Sequence, residues 1–371
     1  MKSKVSIIKC KDYNREKLEK AIRQSVDLIG GISSFVKSSD KVLIKPNLLS
    51  AAAPEAAIDT HPEFVRAVIR LVKVTGAKIF LGDSPSVWGA PEDVDNVYEK
   101  AGIRRIANEE QVELVKFNRS RMKSGFPLTN WVDECSCIIS LPKFKTHDLM
   151  LLTGAVKNLF GLIPGLYKTE LHKRALSCAE LSKVLADIYS IVKPKISIMD
   201  GILAMEGDGP ASGGTPRNLG LILAGSDAVA LDSVMATIIG LSPKDILSTK
   251  EAAQRGLGCA DFDDIEIEGQ KIEDVIVSDY KLPQTSILNR MPRPFLNIGK
   301  SLLRFRPKID SSKCTVCGLC VKACPVEAIS IKDKRTKINQ ADCVLCFCCK
   351  EVCPQGAISI KKSLVAKMMG I

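Results

Sequence analysis

Two hydrophobic periodicities alternate along the first 280 residues. Short apolar runs with strand character fall at residues 5–9, 41–45, 78–81, 112–117, 137–141, 195–199 and 219–224. Between them apolar residues recur at helical spacing. In residues 14–29, Leu18, Ile22, Val26 and Ile29 share one face, and Asn14 stands where a cap is needed. Residues 62–74 follow Thr60-His61 and place Pro62 in the first turn, where its missing N–H costs nothing. Residues 177–192 and 227–239 read the same way. Strand, helix, strand in repetition predicts an α/β fold, with a mostly parallel or mixed sheet flanked by helices. Residues 1–280 are the expected extent of that domain.

Residues 281–308 break the pattern. They hold Pro283, Pro292, Pro294 and Pro307, with a basic amphipathic stretch containing Phe295, Leu296, Ile298, Leu302, Leu303 and Phe305. A linker helix packed between domains is the expectation, preferred to a helix lying on a membrane surface.

Residues 309–362 carry one motif twice. Cys314-Thr-Val-Cys317-Gly-Leu-Cys320-Val-Lys-Ala-Cys324-Pro325 and Cys343-Val-Leu-Cys346-Phe-Cys-Cys349-Lys-Glu-Val-Cys353-Pro354 are both C-x2-C-x2-C-x3-C-P. In such runs three thiolates wrap one [4Fe–4S] cluster and the fourth serves the other cluster. The expected sets are Cys314, Cys317, Cys320 and Cys353 for one cluster, and Cys343, Cys346, Cys349 and Cys324 for the second. After each proline comes the same β-like sequel, Val326-Glu-Ala-Ile-Ser-Ile331 and Gln355-Gly-Ala-Ile-Ser-Ile360. The segment resembles bacterial two-cluster ferredoxins and implies a small α+β domain. A zinc site, the other use of C-x2-C pairs, explains neither the trailing prolines nor the repeated sequels. Cys348 is surplus to both sets and reads as a bystander.

Charge sharpens this picture. The chain carries a net charge of +11. The excess is confined to residues 281–371, which hold 17 Lys and Arg against 5 Asp and Glu. Lysines that balance anionic clusters account for it. No RNA-binding or helix-turn-helix signature supports nucleic acid as a partner. Of 14 cysteines, nine lie between Cys314 and Cys353. That clustering suits metal ligation in a reducing compartment rather than a secreted disulfide scaffold. No apolar run reaches the ~18 residues of a spanning helix, and Met1-Lys2-Ser3-Lys4-Val5 leads into no signal-type segment. The expectation is a cytoplasmic protein.

Candidate chemistry gathers where the strands end, as ligand sites in such sheets do. The run 42–47 ends in Lys45 and Asn47, and 79–85 ends in Asp83 and Ser84. Residues 138–147 end in Lys143, Lys145 and His147, and Lys157 and Asn158 follow soon after. Asp200, Glu206 and Asp208 close the series. On one rim, Lys45, Lys145, His147 and Lys157 are candidates for acid–base work. Asn47, His61, Asp83, Lys143, Asn158, Asp200 and Glu206 are candidates for holding a small anion. The acidic trio could instead bind a hard metal or hold the lysines. No glycine motif for nicotinamide or ATP phosphates is present.

The strings "VLIKPNLL", "THPEFVRAVIRLV…GAKIFLGDSP", "LPKFKTH", "TGAVKNLFG", "MDGILAMEGDGP" and "AGSDAVALDSVMA" together resemble the family called DUF362, over most of residues 1–280. Members often carry a C-terminal ferredoxin module. The resemblance implies that Lys45, Asn47, Thr60, His61, Asp83, Lys143, Lys145, His147, Lys157, Asn158, Asp200, Glu206 and Asp232 belong to the family's motif set, without giving them roles. The expected function is iron–sulfur electron transfer to or from a small anion bound in the α/β domain, with a redox partner protein, as in an oxidoreductase. The rivals are an electron carrier or assembly component that docks a partner protein, and a non-redox enzyme with structural or regulatory clusters.

Overall fold

A computed structural model of the chain describes residues 2–85, 91–165, 167–175, 177–286 and 305–362. Its centre is a ten-stranded mixed sheet. The strands are β1 (Ser3–Lys9), β2 (Lys41–Pro46), β3 (Lys78–Leu81), β4 (Glu113–Leu114), β7 (Cys137–Leu141), β8 (Lys143–His147), β9 (Leu151–Thr153), β10 (Ile196–Gly207), β11 (Gly214–Gly225) and β12 (Ile265–Gly269). A separate hairpin joins β5 (Ser120–Lys123) to β6 (Phe126–Thr129). The main order is β12-β1-β11-β10-β7-β2-β3-β4, with β8 beside β10 and β9 beside β8. From β10 to β4 neighbours run parallel, whereas β11 is antiparallel to both β10 and β1.

The sheet is covered on both faces, so its strands read as unbroken apolar runs. Alternate residues of β2 serve opposite layers. Val42 and Ile44 join Leu18, Ile22, Phe64 and Val68 on one side. Leu43 joins Leu185, Ile188, Val234 and Met235 on the other. Helix starts follow local chemistry. Ser177 and Glu180 form a reciprocal capping box on Cys178–Val192. The Asp227 carboxylate accepts from Val229 N and Ala230 N at 2.8 and 3.1 Å, fixing the start of Ala228–Ile238.

The mixed sheet flanked by helices agrees with the sequence, and three local readings are corrected. Residues 143–147 form strand β8 instead of a loop beyond a strand, and all five are buried. Residues 112–117 shorten to the two-residue β4. Strand β12 and the β5–β6 hairpin were not anticipated.

In the C-terminal part, β13 (Phe305–Ile309) pairs antiparallel with β16 (Ile358–Lys362), and β14 (Ile329–Lys332) with β15 (Arg335–Ile338). The two short helices are Leu319–Lys322 and Cys348–Glu351. This is the small strand-and-helix region expected there. Of the amphipathic stretch, Phe295, Leu296, Ile298, Leu302 and Leu303 lie outside the described residues, whereas Phe305 opens strand β13 instead of continuing a linker helix.

Candidate functional site

Chain order sets the first site. Strands β2, β3 and β4 run outward in one direction, whereas β7 and β10 lie on the other side of β2. The order therefore reverses between β2 and β7, and a crevice opens beyond the strand ends at such a point. Lys45 lies opposite Ser140 in that register. A cavity here is lined by Asn47, Asp83, Ser84, His147, Thr153, Lys157, Asn158, Lys168 and His172, with Phe160, Leu181 and Leu185 as apolar wall. Cys348 and Glu351 of the C-terminal module complete the lining.

A buried network fixes the polar groups. Lys45 Nζ is 2.8 Å from Asp83 Oδ1 and donates to Asn158 Oδ1 at 3.3 Å. Asn158 Nδ2 donates to Ser140 Oγ at 2.9 Å, and Asn47 Nδ2 donates to Asn158 Oδ1 at 3.1 Å. The other Asp83 oxygen accepts from Leu48 N at 2.8 Å. Burial pulls the Lys45 ammonium below its ordinary range, and Asp83 opposes that. Gly161 is required beside this pair, because a Cβ there would lie 2.3 Å from Asp83 Oδ1 and 2.6 Å from Lys45 Nζ.

His147 is locked as a neutral ring. Its Nδ1 accepts from Leu149 N at 3.1 Å and Met150 N at 3.3 Å, so Nε2 carries the proton and faces Glu351 Oε1 at 3.3 Å. Burial holds its pKa well below the usual value, with Lys157 and Lys145 adding to the shift. Lys157 also falls through burial, with Glu351 opposing, and its ammonium makes no hydrogen bond among the described residues. Lys168 donates to Ser84 O and to Ser84 Oγ, and burial brings it down to about 7.

The candidate residues thus divide. Asn47, Asp83, His147, Lys157 and Asn158 share the cavity. Lys45 lies fully buried behind Asp83. Lys145, also buried, donates to Ile58 O at 2.6 Å, away from the lining. Lys143, Asp200 and His61 form a second cluster. Lys143 Nζ is 2.7 Å from Asp200 Oδ2, His61 N donates to that same oxygen at 3.0 Å, and Tyr13 OH donates to Asp200 Oδ1 at 2.8 Å. The His61 ring stacks on Tyr13 at 3.6 Å. Glu206 accepts from Lys281 N at 3.2 Å, also apart from the cavity. Asp200, Glu206 and Asp208 do not gather, and among the described residues no three His, Cys, Asp or Glu converge on a single-ion site. Lys168, His172 and Glu351 were not foreseen, whereas Ser84 was noted at its strand end. The sequence signal for the first two is their i,i+4 spacing on the helix Tyr167–Arg174.

Eight cysteines of the C-terminal module face two cavities. One is lined by Cys314, Cys317, Cys320 and Cys353, the other by Cys324, Cys343, Cys346 and Cys349. The repeat extends to the backbone. Val316 and Leu345 have φ of 56° and 59°, and Gly318 and Phe347 have 78° and 60°. Glu327 and Gly356 match at 55° and 57°. A β-branched residue such as Val316 is a true outlier there. Alternation of this kind turns successive N–H groups toward an anion. Ala328 N donates to Cys324 Sγ at 3.1 Å, and Ala357 N donates to Cys353 Sγ at 3.2 Å. Thiolates spread round a cavity and fed by N–H donors fit a polynuclear iron–sulfur cluster better than one small ion, whose ligands must crowd within ~2.3 Å of it.

The module is seated on the α/β domain. Lys350 pairs with Asp148 and donates to Asp208 O at 2.7 Å. Gly213 leaves room for the Lys350 ammonium, 2.7 Å from where a Cβ would stand. A further cavity of about 310 Å3 lies in the same seam, between Leu49–Ala52 and Glu351–Pro354.

Residues 42–237, more than half of the chain, match the family described as "Domain of unknown function (DUF362)". Residues 307–330 match a 4Fe–4S binding domain. A protein of Synechocystis sp., named as thylakoid-associated, is 34% identical over 292 residues, covering 76% of this chain and 89% of that protein. Among the described residues no helix is long and apolar enough to cross a membrane.

Proposed function

The chain belongs to the DUF362 family and carries a 4Fe–4S binding domain, and from that premise we propose an iron–sulfur oxidoreductase that exchanges electrons with a small anion held in the β2–β7 crevice. In this reading residues 1–280 form the anion-binding domain, 281–308 the connector and 309–362 a two-cluster module. Cys314, Cys317, Cys320 and Cys353 hold one [4Fe–4S] cluster, and Cys343, Cys346, Cys349 and Cys324 hold the second. When bound, the clusters supply one-electron storage and release. A redox partner protein is the source or sink of those electrons, and the cysteine pattern suits the cytoplasm.

The observation that carries this reading is the wall shared by module and crevice. Cys348, set between Cys346 and Cys349, lines the same cavity as Lys157, Asn47 and His147. The anion would therefore bind against the loop that wraps the second cluster. Lys157 attracts the anion with a charge that no hydrogen bond among the described residues engages. His147 holds a proton on Nε2 against Glu351. Lys45 is a positioning residue that fixes Asn158 and Asp83, and Lys145 anchors Ile58 O at the seam.

The test is anaerobic purification with iron and sulfide analysis, and EPR before and after dithionite reduction. About eight irons per chain, with interacting signals on reduction, supports the reading. About four irons, or zinc in their place, overturns the two-cluster assignment.

A further inference from the structure

The hydrogen-bond network determines what the anion must also carry. Lys45 has only donors, so the Asn158 atom it meets at 3.3 Å is the carbonyl oxygen. Asn158 Nδ2 then faces Ser140 Oγ. Asn47 approaches the same Asn158 oxygen at 3.1 Å and must present its NH2 group. The Asn47 carbonyl oxygen is thereby turned away from the network. It is buried and has no hydrogen-bond partner among the described residues. Two more lining groups share that condition, Thr153 Oγ1 and His172 Nδ1. Buried polar atoms are paired as a rule, and an unpaired one costs stability.

An acceptor-only oxygen is satisfied only by a donor on the occupant. The charge balance selects the kind of donor. Lys157, Lys168 and the Glu351 carboxylate face the cavity, while Asp83 is neutralised by Lys45. An ammonium would meet two lysines against one carboxylate, whereas a neutral O–H meets no such penalty. Size is set by about 60 Å3 of free volume. At ~10–15 Å3 for each water-sized group, that admits about four to six heavy atoms.

We infer that the crevice binds a small 2-hydroxycarboxylate. Its carboxylate meets Lys157, and its hydroxyl donates to Asn47 Oδ1, in the cavity that Thr153 also lines. The inference rests on the anion-binding reading above and adds a requirement for the hydroxyl.

Isothermal titration of the anaerobically purified, cluster-loaded protein with sodium glycolate, acetate and glycine tests it. Glycolate should bind about tenfold to a hundredfold more tightly than acetate, the range of one hydrogen bond to a buried group. Glycine should bind more weakly than glycolate. Thr153→Val keeps the side chain's shape, and its hydroxyl makes no bond in the fold, so it should fold normally and lower the glycolate preference. Asn47→Ala should abolish the preference. Equal affinity for glycolate and acetate, lost in Lys157→Met, overturns the hydroxyl inference and leaves the anion site standing. Failure of all three ligands to bind overturns both.

Discussion

Lys350 and Asp148 stand 202 positions apart in the chain, yet their buried side chains form a direct ion pair across the seam. The same ammonium donates to the Asp208 carbonyl, in the loop that follows β10. One lysine within the second cysteine run thus ties the module to two loops of the α/β domain. Its neighbour Glu351 meets His147 in the crevice.

Breaking that pair should loosen the module. Lys350→Met leaves Asp148 buried without its cation, which costs ~3–5 kcal/mol. The double variant Lys350→Met with Asp148→Asn removes both charges and should recover much of the loss. Urea unfolding of the two single variants and the double variant measures the coupling. Simple additivity of the single effects would show that the seam does not depend on this pair.

Gly161→Ala should be more damaging than an exposed glycine substitution. The new methyl would fall within 2.6 Å of both Lys45 Nζ and Asp83 Oδ1, and both partners are buried. Neither can move to water, so the expected loss is again ~3–5 kcal/mol. Chemical denaturation reads it. A loss below ~1 kcal/mol would mean that the loop yields and the pair survives.

Such contacts mark the boundary of what the sequence could tell. The parallel strands were legible because Leu43 and its neighbours are apolar on both faces, a pattern that only a covered sheet explains. The cysteine runs were legible because ligand spacing is local. Strand β8 was hidden because Lys143, Lys145 and His147 look like solvent-facing residues. Each is buried against a partner remote in sequence, Asp200, Ile58 O and Glu351 respectively. Lys168 and His172 were hidden by a helix whose composition, Tyr-Lys-Thr-Glu-Leu-His-Lys-Arg, reads as surface. The single rim expected from the strand ends became two clusters. Register places Lys143 beside Asp200 on β10, whereas Lys45 faces the β7 side.

The three histidines of the chain are held neutral by burial, His61 and His172 at about 4 and His147 well below its usual value. The unfolded chain takes up these protons near pH 6.5, and the native state does not. Their contribution is complete above about 6.5 and is lost as pH falls toward 4. Asp148 and Asp232, pushed up to about 7 by burial, act in the opposite sense, so the total slope is not diagnostic. His172→Gln isolates one histidine. Between pH 7.5 and 5, wild type should lose about 2 kcal/mol more than this variant. Parallel urea-midpoint curves for the two proteins would place a protonated His172 in the native state.

Cys348 and Cys353 should separate cleanly on substitution, although they lie five positions apart. Cys353 lines a cavity with Cys314, Cys317 and Cys320, and its sulfur accepts from Ala357 N. Cys348 lines neither cysteine cavity; it faces the crevice with Lys157. Cys348→Ser should therefore retain the full iron content and the reduced EPR signals. Cys353→Ser should fall to about four irons per chain, because one cubane loses a thiolate. Glycolate titration then distinguishes the crevice from the cluster. Cys348→Ser should change affinity at unchanged iron, whereas Cys353→Ser should change iron with the crevice lining intact. Loss of iron from Cys348→Ser would make that thiol a ligand and exclude it as a wall of the crevice.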